Sequence, residues 1–407
     1  MEKLYKTLII CLIFFTVNIF AQDNLSEEKQ NKKTRRSFLE EIIDGSEFDY
    51  KGEVFSNLSG GNGNKSVYLD NFDFILNLDL KSSLGWEGAR LKTFVLGIHG
   101  KDPNEYAGTE QGISNIAAAS TWNLYEFWLE QNLFDDDLSI LMGLFDLNSE
   151  FDSRQTSAIF INPSQGIGAE YSLTGVKGPS IFPNTSLAIR IKYSVFSSFN
   201  IKAAAFDAVP GHLLDKHDGL LLTTEFKYKS TSEELNKNYF SYLVGGWLYT
   251  GKFERLLDPE PSGDPIYQRG NYGIYFSAEK FLWSEAESTN EGLSAFFRLG
   301  FADRNINKVD EYIGAGVNYT GLIPGRNKDV IGLAAASIHN NEKYIDQMFQ
   351  EGIEVCEYEN IVEFTYLFNI SRWLKMQPDL QYVIDPTYCR RENHSFLGGI
   401  SLELFFN

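Results

Sequence analysis

Residues Tyr125-Glu-Phe-Trp-Leu-Glu-Gln131 and Leu138-Ser-Ile-Leu-Met-Gly-Leu-Phe-Asp146 are two alternating segments, joined by a turn that contains Phe134-Asp-Asp-Asp137. Neither segment is long or apolar enough to cross a bilayer as a helix. Each has about the 9–11 residues that a tilted transmembrane strand needs. Because a closed barrel is the only strand-built structure that leaves no unpaired edge in lipid, the pattern predicts a transmembrane β-barrel.

The N-terminus has the layout of a secretory signal. Lys3 and Lys6 precede the apolar run 7–20, and Ala21 is a small residue at the expected cleavage point. A retained membrane anchor is the alternative reading, but the run is short for a helical span. We therefore expect a signal peptide over 1–21, cleaved after Ala21, followed by an exported chain.

The rest of the chain divides into two predicted parts. Residues 22–46 are rich in charge and predict a solvated periplasmic segment. Residues 47–407 carry the strand pattern and predict the barrel domain. Two cysteines remain outside the signal, Cys356 and Cys389, and both fall in predicted outer loops near the C-terminus. In an exported protein they are candidates for a disulfide, and two unpaired cysteines are the alternative.

The composition excludes some classes of partner. The chain has 36 Lys and Arg against 55 Asp and Glu, a formal net charge of −19. Nucleic-acid binding needs a basic face, so nucleic acid is not an expected partner. Aromatic residues make up 14 % of the chain, which favours strands with aromatic girdles over a helical enzyme.

Alternating segments recur along the chain with turn signals between them, and sixteen can be counted, an even number as in bacterial barrels. They are 47–56, 67–81, 90–98, 121–132, 137–146, 186–194, 200–207, 219–228, 239–250, 271–281, 293–302, 311–320, 330–338, 359–368, 374–384 and 395–406. With the N-terminus in the periplasm, the long connections 99–120, 147–185, 251–270 and 339–358 all fall outside, as expected of such barrels. In many porins the loop at this place folds inward, and by that analogy 147–185 is expected to narrow the channel.

Alternation also assigns the faces of the strands. Tyr125, Phe127 and Leu129 are taken as facing lipid, and the opposite parity faces the lumen. The candidates for pore lining and sugar contact are Trp122, Glu126, Trp128, Glu130, Arg190, Lys192, Lys202 and Arg298. Both signs of charge beside aromatic rings suit neutral polyhydroxylated solutes, because carboxylates and guanidinium groups bind paired hydroxyls. The alternative is that these charges solvate the lumen or pair across strands.

Polar residues cluster where the long connection begins. Asp146, Asn148, Glu150, Asp152 and Arg154 are candidates for a constriction. The alternative reading is ordinary turn chemistry, since Asp, Asn and Ser bond their own backbone in loops.

Several segments of the chain resemble the carbohydrate-selective porins of the OprB type. They are Tyr125–Gln131, Gly143-Leu-Phe-Asp-Leu-Asn-Ser-Glu-Phe-Asp152, Pro179-Ser-Ile-Phe-Pro183, Phe206-Asp-Ala-Val-Pro-Gly211, Gln377-Pro-Asp-Leu-Gln-Tyr-Val383, Gln111–Ile116 and Gly166–Glu170. The resemblance covers residues 47–407, and 385–394 departs from the family pattern. It implies a sixteen-stranded outer-membrane barrel through which glucose-like sugars diffuse passively, with no cofactor.

The resemblance and the barrel pattern set the expected partners and the rival functions. We expect small carbohydrates, the lipid bilayer and lipopolysaccharide as partners, with a homotrimer as the common assembly of such porins. A general or ion-selective porin remains the main alternative. An enzyme and a loop-based adhesin are further rivals, although the five histidines all fall in predicted outer loops, without a recognisable nucleophile nearby.

Overall fold

The computed structural model describes residues 42–211, 218–232, 234–257, 264–285, 290–388 and 393–406. Within these ranges, no helix has the length and apolar character needed to cross a membrane. The predicted signal peptide 1–21 and nearly all of segment 22–46 lie outside the described residues. Cys389 also lies outside them, so its disulfide with Cys356 stays a prediction.

Sixteen antiparallel strands form one closed barrel in which each strand pairs with its neighbours in sequence, and β1 pairs with β16. The predicted sixteen-stranded barrel is confirmed. The strands are β1 Ser46–Ser59, β2 Ser66–Asp79, β3 Ala89–Gly100, β4 Thr121–Leu133, β5 Leu138–Phe145, β6 Ser186–Phe196, β7 Phe199–Asp207, β8 Leu220–Lys229, β9 Phe240–Glu254, β10 Tyr267–Ser284, β11 Gly292–Ala302, β12 Val309–Thr320, β13 Val330–Asn340, β14 Tyr358–Asn369, β15 Leu374–Ile384 and β16 Ser395–Phe406.

In the connections that the structure describes, four short α-helices are present. They are α1 Leu80–Leu84, α2 Asn104–Ala107, α3 Ala169–Ser172 and α4 Glu342–Gln350. Helix α1 lies in a connection at the end of the barrel that carries the N-terminus. The other three lie in the long connections at the opposite end, which we call the outer end because outer-membrane barrels place their long loops outside.

The alternating pattern explains why these segments form barrel strands. In β6, Arg190 is 1 % exposed, whereas Ile189 and Ile191 on the other face are 49 % and 47 % exposed. A charge on the lipid side costs about 2–4 kcal/mol at the bilayer midplane, so the apolar parity faces lipid. The inner face is therefore the one that carries the chemistry of each strand.

Aromatic side chains crowd the strand ends opposite the long loops. The rings of Phe196 and Phe199 lie 5.6 Å apart, and those of Tyr228 and Phe240 lie 5.4 Å apart. Such girdles mark a membrane interface.

Strands β9 and β10 extend further than the sequence pattern predicted. Their extra outer residues include Lys252 and Arg269, which are register partners. Beyond the membrane water replaces lipid, so a strand continues there without apolar alternation, and the pattern underestimates its length.

The barrel is not empty, because two outer connections fold into it. A hydrophobic cluster joins Phe151, Ile167 and Tyr171 of connection 146–185 to wall residues such as Trp247 and Tyr275. The ring of Tyr171 stacks on Trp247 at 5.1 Å between centroids. A second cluster joins connection 101–120 to the walls of β1, β2 and β14–β16. The expected inward fold of the long loop is present, and a second inserted segment accompanies it.

Candidate pore constriction

A β-bulge in β4 changes which side chains face the lumen. Phe94 pairs with Glu126 while Val95 pairs with Leu124, so Tyr125 is the extra residue. The parity of β4 is reversed on the outer side of a bulge, because the side-chain period is two. The prediction that Trp122 faces the lumen was therefore wrong. Its side chain is 60 % exposed on the lipid-facing side of the barrel.

The bulge also changes the environment of Tyr125. Alternation predicts that this residue faces lipid, but its side chain is 6 % exposed and packs against Leu96 and Ile98. From Glu126 to the end of β4 the predicted alternation holds, and Glu126, Trp128 and Glu130 share the inner face.

Wall glutamates hold the two inserted segments by accepting their backbone N–H groups. Glu363 accepts from Ile161 and Asn162 at 2.6 and 3.2 Å, and Glu359 accepts from Gln111 at 3.1 Å. The glutamates that act in this way, which we call the anchoring glutamates, are Glu126, Glu225, Glu279, Glu359 and Glu363. An irregular segment buried in a barrel leaves N–H groups without a ladder partner, and these carboxylates supply one.

Arg298 is the centre of a fully buried ionic network. Its guanidinium binds both carboxylate oxygens of Glu170 at 2.9 and 2.7 Å and donates to Asp152 at 2.7 Å. Asp152 also pairs with Arg154 at 2.5 Å. The Glu170 carboxylate comes very close to Gly300, where an added Cβ would lie 2.0 Å from it. The network ties α3 and the start of the inserted connection to β11.

The charge state of Glu170 depends on this arrangement. Burial raises the pKa of Glu170, and the neighbouring Arg298 opposes the rise. A bidentate, charge-assisted pair keeps both charges satisfied in a site without access to water.

A second ionic cluster lies on β4 to β8. Arg190 donates to Glu130 at 2.8 Å and to Glu150 at 2.6 Å. Lys202 pairs with Glu225 at 2.8 Å and donates to the backbone carbonyl of Glu150. Glu150 of the inserted connection is thus held between two wall cations.

The first residues of the inserted connection perform turn chemistry. The Asp146 carboxylate accepts from the Asn148 N–H at 2.9 Å, and the Asn148 side chain donates to Phe151 O at 3.1 Å. Burial and the nearby Glu126 raise the pKa of Asp146 to about 7. Of the five constriction candidates, these two shape the turn. Glu150 and Asp152 bind the wall cations Arg190 and Arg298, and Arg154 binds Asp152 and the backbone carbonyls of Gln165 and Gly166.

The inserted segment covers several residues that were expected to line open water. Glu126, Arg190, Lys202 and Arg298 lie on the inner face as predicted, but they are 2 %, 1 %, 5 % and 0 % exposed. The prediction of pore lining is corrected for these four, because the inserted connection lies over them. Lys192, in register with Lys202, lies on the same face and is exposed.

The open part of the lumen is bordered by other charges. Hydrogen bonds of the inserted connection reach the barrel wall from β4 to β15, while half-buried charged side chains remain on β1–β3 and β16. We call them the charged strip, which consists of Lys51, Asp73, Lys92 and Glu403. Lys51 lies 3.7 Å from Glu403 and 3.2 Å from Glu53.

Aromatic rings lie beside the strip. Lys92 pairs with Glu126 at 2.5 Å, and its ammonium lies 5.8 Å from the Trp128 ring and 5.7 Å from the Phe94 ring. The Trp128 N–H donates to Glu126 at 3.3 Å. A cation, a carboxylate and a half-buried indole therefore meet at one place on the lumen wall.

Sequence reasoning missed the charged strip and the anchoring glutamates other than Glu126, which it named only as a pore-lining candidate. Alternation alone places Glu225 and Glu363 on inner faces, since each shares the parity of a buried residue. In the sequence, the signal for an anchoring glutamate is a single glutamate in the middle of the inner face of a strand. Its partner, a backbone N–H from a distant loop, has no sequence signature.

Two histidines also differ from expectation. His99 and His339 lie in β3 and β13 rather than in loops, and they pair with Asp70 at 3.1 Å and Asp310 at 2.6 Å. Each pair joins adjacent strands near their outer ends.

A closed sixteen-stranded barrel with a lumen narrowed by inserted loops is the architecture of an outer-membrane porin. The match to known proteins is consistent with this class. Residues 63–406 match the family described as carbohydrate-selective porin, OprB family. The chain belongs to this family, and it is an outer-membrane porin for the passive diffusion of carbohydrates.

Relatives of known name or structure cover almost the whole chain. Porin B of Pseudomonas aeruginosa is 27 % identical over 88 % of this chain and 86 % of its own length. The putative porin QuiX of Acinetobacter baylyi is 20 % identical over 87 % of each chain. The high-pH structure of Pseudomonas putida OprB superposes with a TM-score of 0.80 at 24 % identity, covering 91 % of this chain and 96 % of that one.

Proposed function

We propose that the preferred solutes are neutral sugars of about the size of glucose, which pass along the charged strip and over Trp128. The observation that carries the proposal is the meeting of Lys92, Glu126 and Trp128 on the lumen wall. Paired hydroxyls of a sugar hydrogen-bond to the Lys92 ammonium, which the buried Glu126 holds beside Trp128, and to the half-buried carboxylates of Asp73 and Glu403. The apolar face of a pyranose packs on the indole.

Because each contact with the wall is weak, a sugar passes through the pore and is not retained. Conduction requires sites that are favourable enough to enter and weak enough to leave. Because charges of opposite sign are neighbours in the strip, their electric fields largely cancel and an ion is attracted weakly. The same groups offer many hydrogen-bond donors and acceptors to sugar hydroxyls. The protein accordingly does no chemistry and needs no cofactor.

We also propose that residues 1–21 are removed on export, that 22–46 remain in the periplasm, and that the porin is a homotrimer in contact with lipopolysaccharide. The charged N-terminus, the apolar run and Ala21 support the first point. N-terminal sequencing of the mature chain and its mass in detergent test the cleavage and the assembly, and an intact Met1 or the mass of one chain would contradict them.

Two tryptophans on the same strand give a matched test of the sugar contact. Trp128→Ala is expected to lower the ratio of the glucose rate to that of a neutral amino acid of matched size in liposome swelling. Ring contacts are worth about 0.5–1.5 kcal/mol, or roughly two- to tenfold. Trp122→Ala removes the same side chain from the outer face and is expected to leave the ratio unchanged. Equal ratios in the wild type and Trp128→Ala would remove this residue from the sugar path.

A further inference from the structure

A pocket lies inside the outer half of the barrel, away from the charged strip. It has a volume of about 220 Å³ and lies mainly between residues 102–117 and 163–182, the two inserted segments. No barrel strand contributes to its lining. We call it the vestibule pocket.

The lining of the vestibule pocket combines apolar and polar residues. Its apolar lining includes Ile167, Leu173 and Phe182, and its polar lining includes Asp102 and Asn115. A pyranose has the same division, with C–H groups on its faces and hydroxyls around its edge. A small concave site with apolar walls and a few polar groups is the usual form of a ligand site.

Both walls of the pocket are held in place. Glu110 of the first segment is bound by Lys308 at 2.6 and 2.7 Å and also accepts from Tyr388. The second segment is fixed by Glu363 and by the pair of Arg298 with Glu170. Pre-organised walls reduce the entropy that is lost when a small ligand binds.

The pocket connects to the charged strip. Asn115 lines the pocket and accepts a hydrogen bond from Lys51 at 3.2 Å. Phe182 lies 6.4 Å from the Tyr125 ring, which in turn lies 5.1 Å from Phe94 beside Lys92. The pocket and the charged strip are therefore neighbours inside the barrel.

We propose that the vestibule pocket is a separate binding site for a single pyranose, occupied before the sugar reaches the charged strip. The site rests on the proposed sugar preference. It loads one sugar from the outside, with the ring against Phe182 and Leu173 and the hydroxyls toward Asp102 and Asn115. Two weak sites in series allow entry and release in steps.

Ion-current recordings with glucose added to the buffer test the site. The half-blocking glucose concentration is compared among the wild type, Phe182→Ala, Ala117→Trp and Phe349→Ala. The first variant removes an apolar wall and the second fills the pocket. Phe349 on α4 is 77 % exposed and does not line the pocket, so its variant is the control.

The expected result is a several-fold higher half-blocking concentration in Phe182→Ala and Ala117→Trp, with no change in Phe349→Ala. An unchanged value in both pocket variants, or no block in the wild type, would overturn the site. Liposome swelling of the wild type keeps the two proposals apart. Faster swelling with sugars together with unchanged block would overturn the pocket alone, whereas equal swelling with all solutes would overturn the sugar preference.

Discussion

Replacing residues 147–185 with a short Gly-Ser turn is expected to raise single-channel conductance roughly twofold or more, since pore diameter sets permeation. The inserted connection is hydrogen-bonded to the barrel wall from β4 to β15. Its ends are close, because Phe145 and Ser186 are register partners in β5 and β6. Solutes larger than the wild type admits should then enter, and sugar preference should fall.

The barrel itself is expected to survive this deletion. Closure depends on strand pairing, including β1 with β16, and not on the connection. The anchoring glutamates and Arg298 would be hydrated by lumen water. Exposure of wall aromatics such as Trp247 and Tyr275 would lower the thermal midpoint, because buried aromatic area stabilises the fold.

A second long outer connection provides the control. Replacing 342–352, which contains α4, should leave conductance near the wild-type value, because α4 contributes no residue to the vestibule pocket or the charged strip. Equal conductance in the wild type and the 147–185 deletion would show that the inserted connection does not limit the pore.

Arg298→Met is expected to destabilise the protein by about 3–5 kcal/mol, the usual cost of leaving buried charges without a partner. Asp152 and Glu170 would both lose the guanidinium that binds them. The inserted connection should loosen, with noisier open-channel current and lower sugar preference. Guanidinium-induced unfolding measures the stability, and bilayer recording measures the noise.

The loss of stability in Arg298→Met should depend on pH in a defined direction. Burial already raises the pKa of Glu170, and removing Arg298 removes the main influence that lowers it. The folded state then keeps its proton at a pH where the unfolded chain has lost it. Stability therefore falls as pH rises from the unfolded pKa toward the folded one, and the loss should be larger at pH 8 than at pH 5.

Two further variants separate electrostatics from packing. Adding Asp152→Asn and Glu170→Gln to Arg298→Met removes the unpaired charges and should recover part of the stability. Arg326→Met removes a half-exposed cation, while the buried Asp329 keeps its hydrogen bonds from Tyr366 and Asn369, so stability should change by at most about 1 kcal/mol. A loss of the same size in Arg298→Met and Arg326→Met would contradict the role of the buried network.

The barrel was predictable because every strand must present apolar side chains to lipid on one of its two faces. Ile189, Arg190 and Ile191 show this alternation, since only the lumen face tolerates a charge. The same rule placed Arg298 on the inner face. It could not place Trp122, because the bulge at Tyr125 reverses parity and nothing in the local pattern signals it.

The constriction was less predictable for a different reason. Its contacts join residues far apart in sequence, such as Arg298 with Glu170 and Glu363 with Ile161. Acidic and polar residues in 146–154 indicated a structured loop, but not that Asp146 would form a turn while Asp152 reached β11. Burial by an inserted loop depends on closing the whole barrel, which no local pattern encodes.

Liposome swelling with the purified mature protein tests the central claim, that this porin prefers sugars. The solutes are glucose, maltose, arabinose and a neutral amino acid of matched size. Faster swelling with the sugars than with the amino acid is the predicted result, because only the sugars offer paired hydroxyls to the charged strip and a ring face to Trp128. Equal rates for all solutes of one size would contradict the claim and leave a general-diffusion pore.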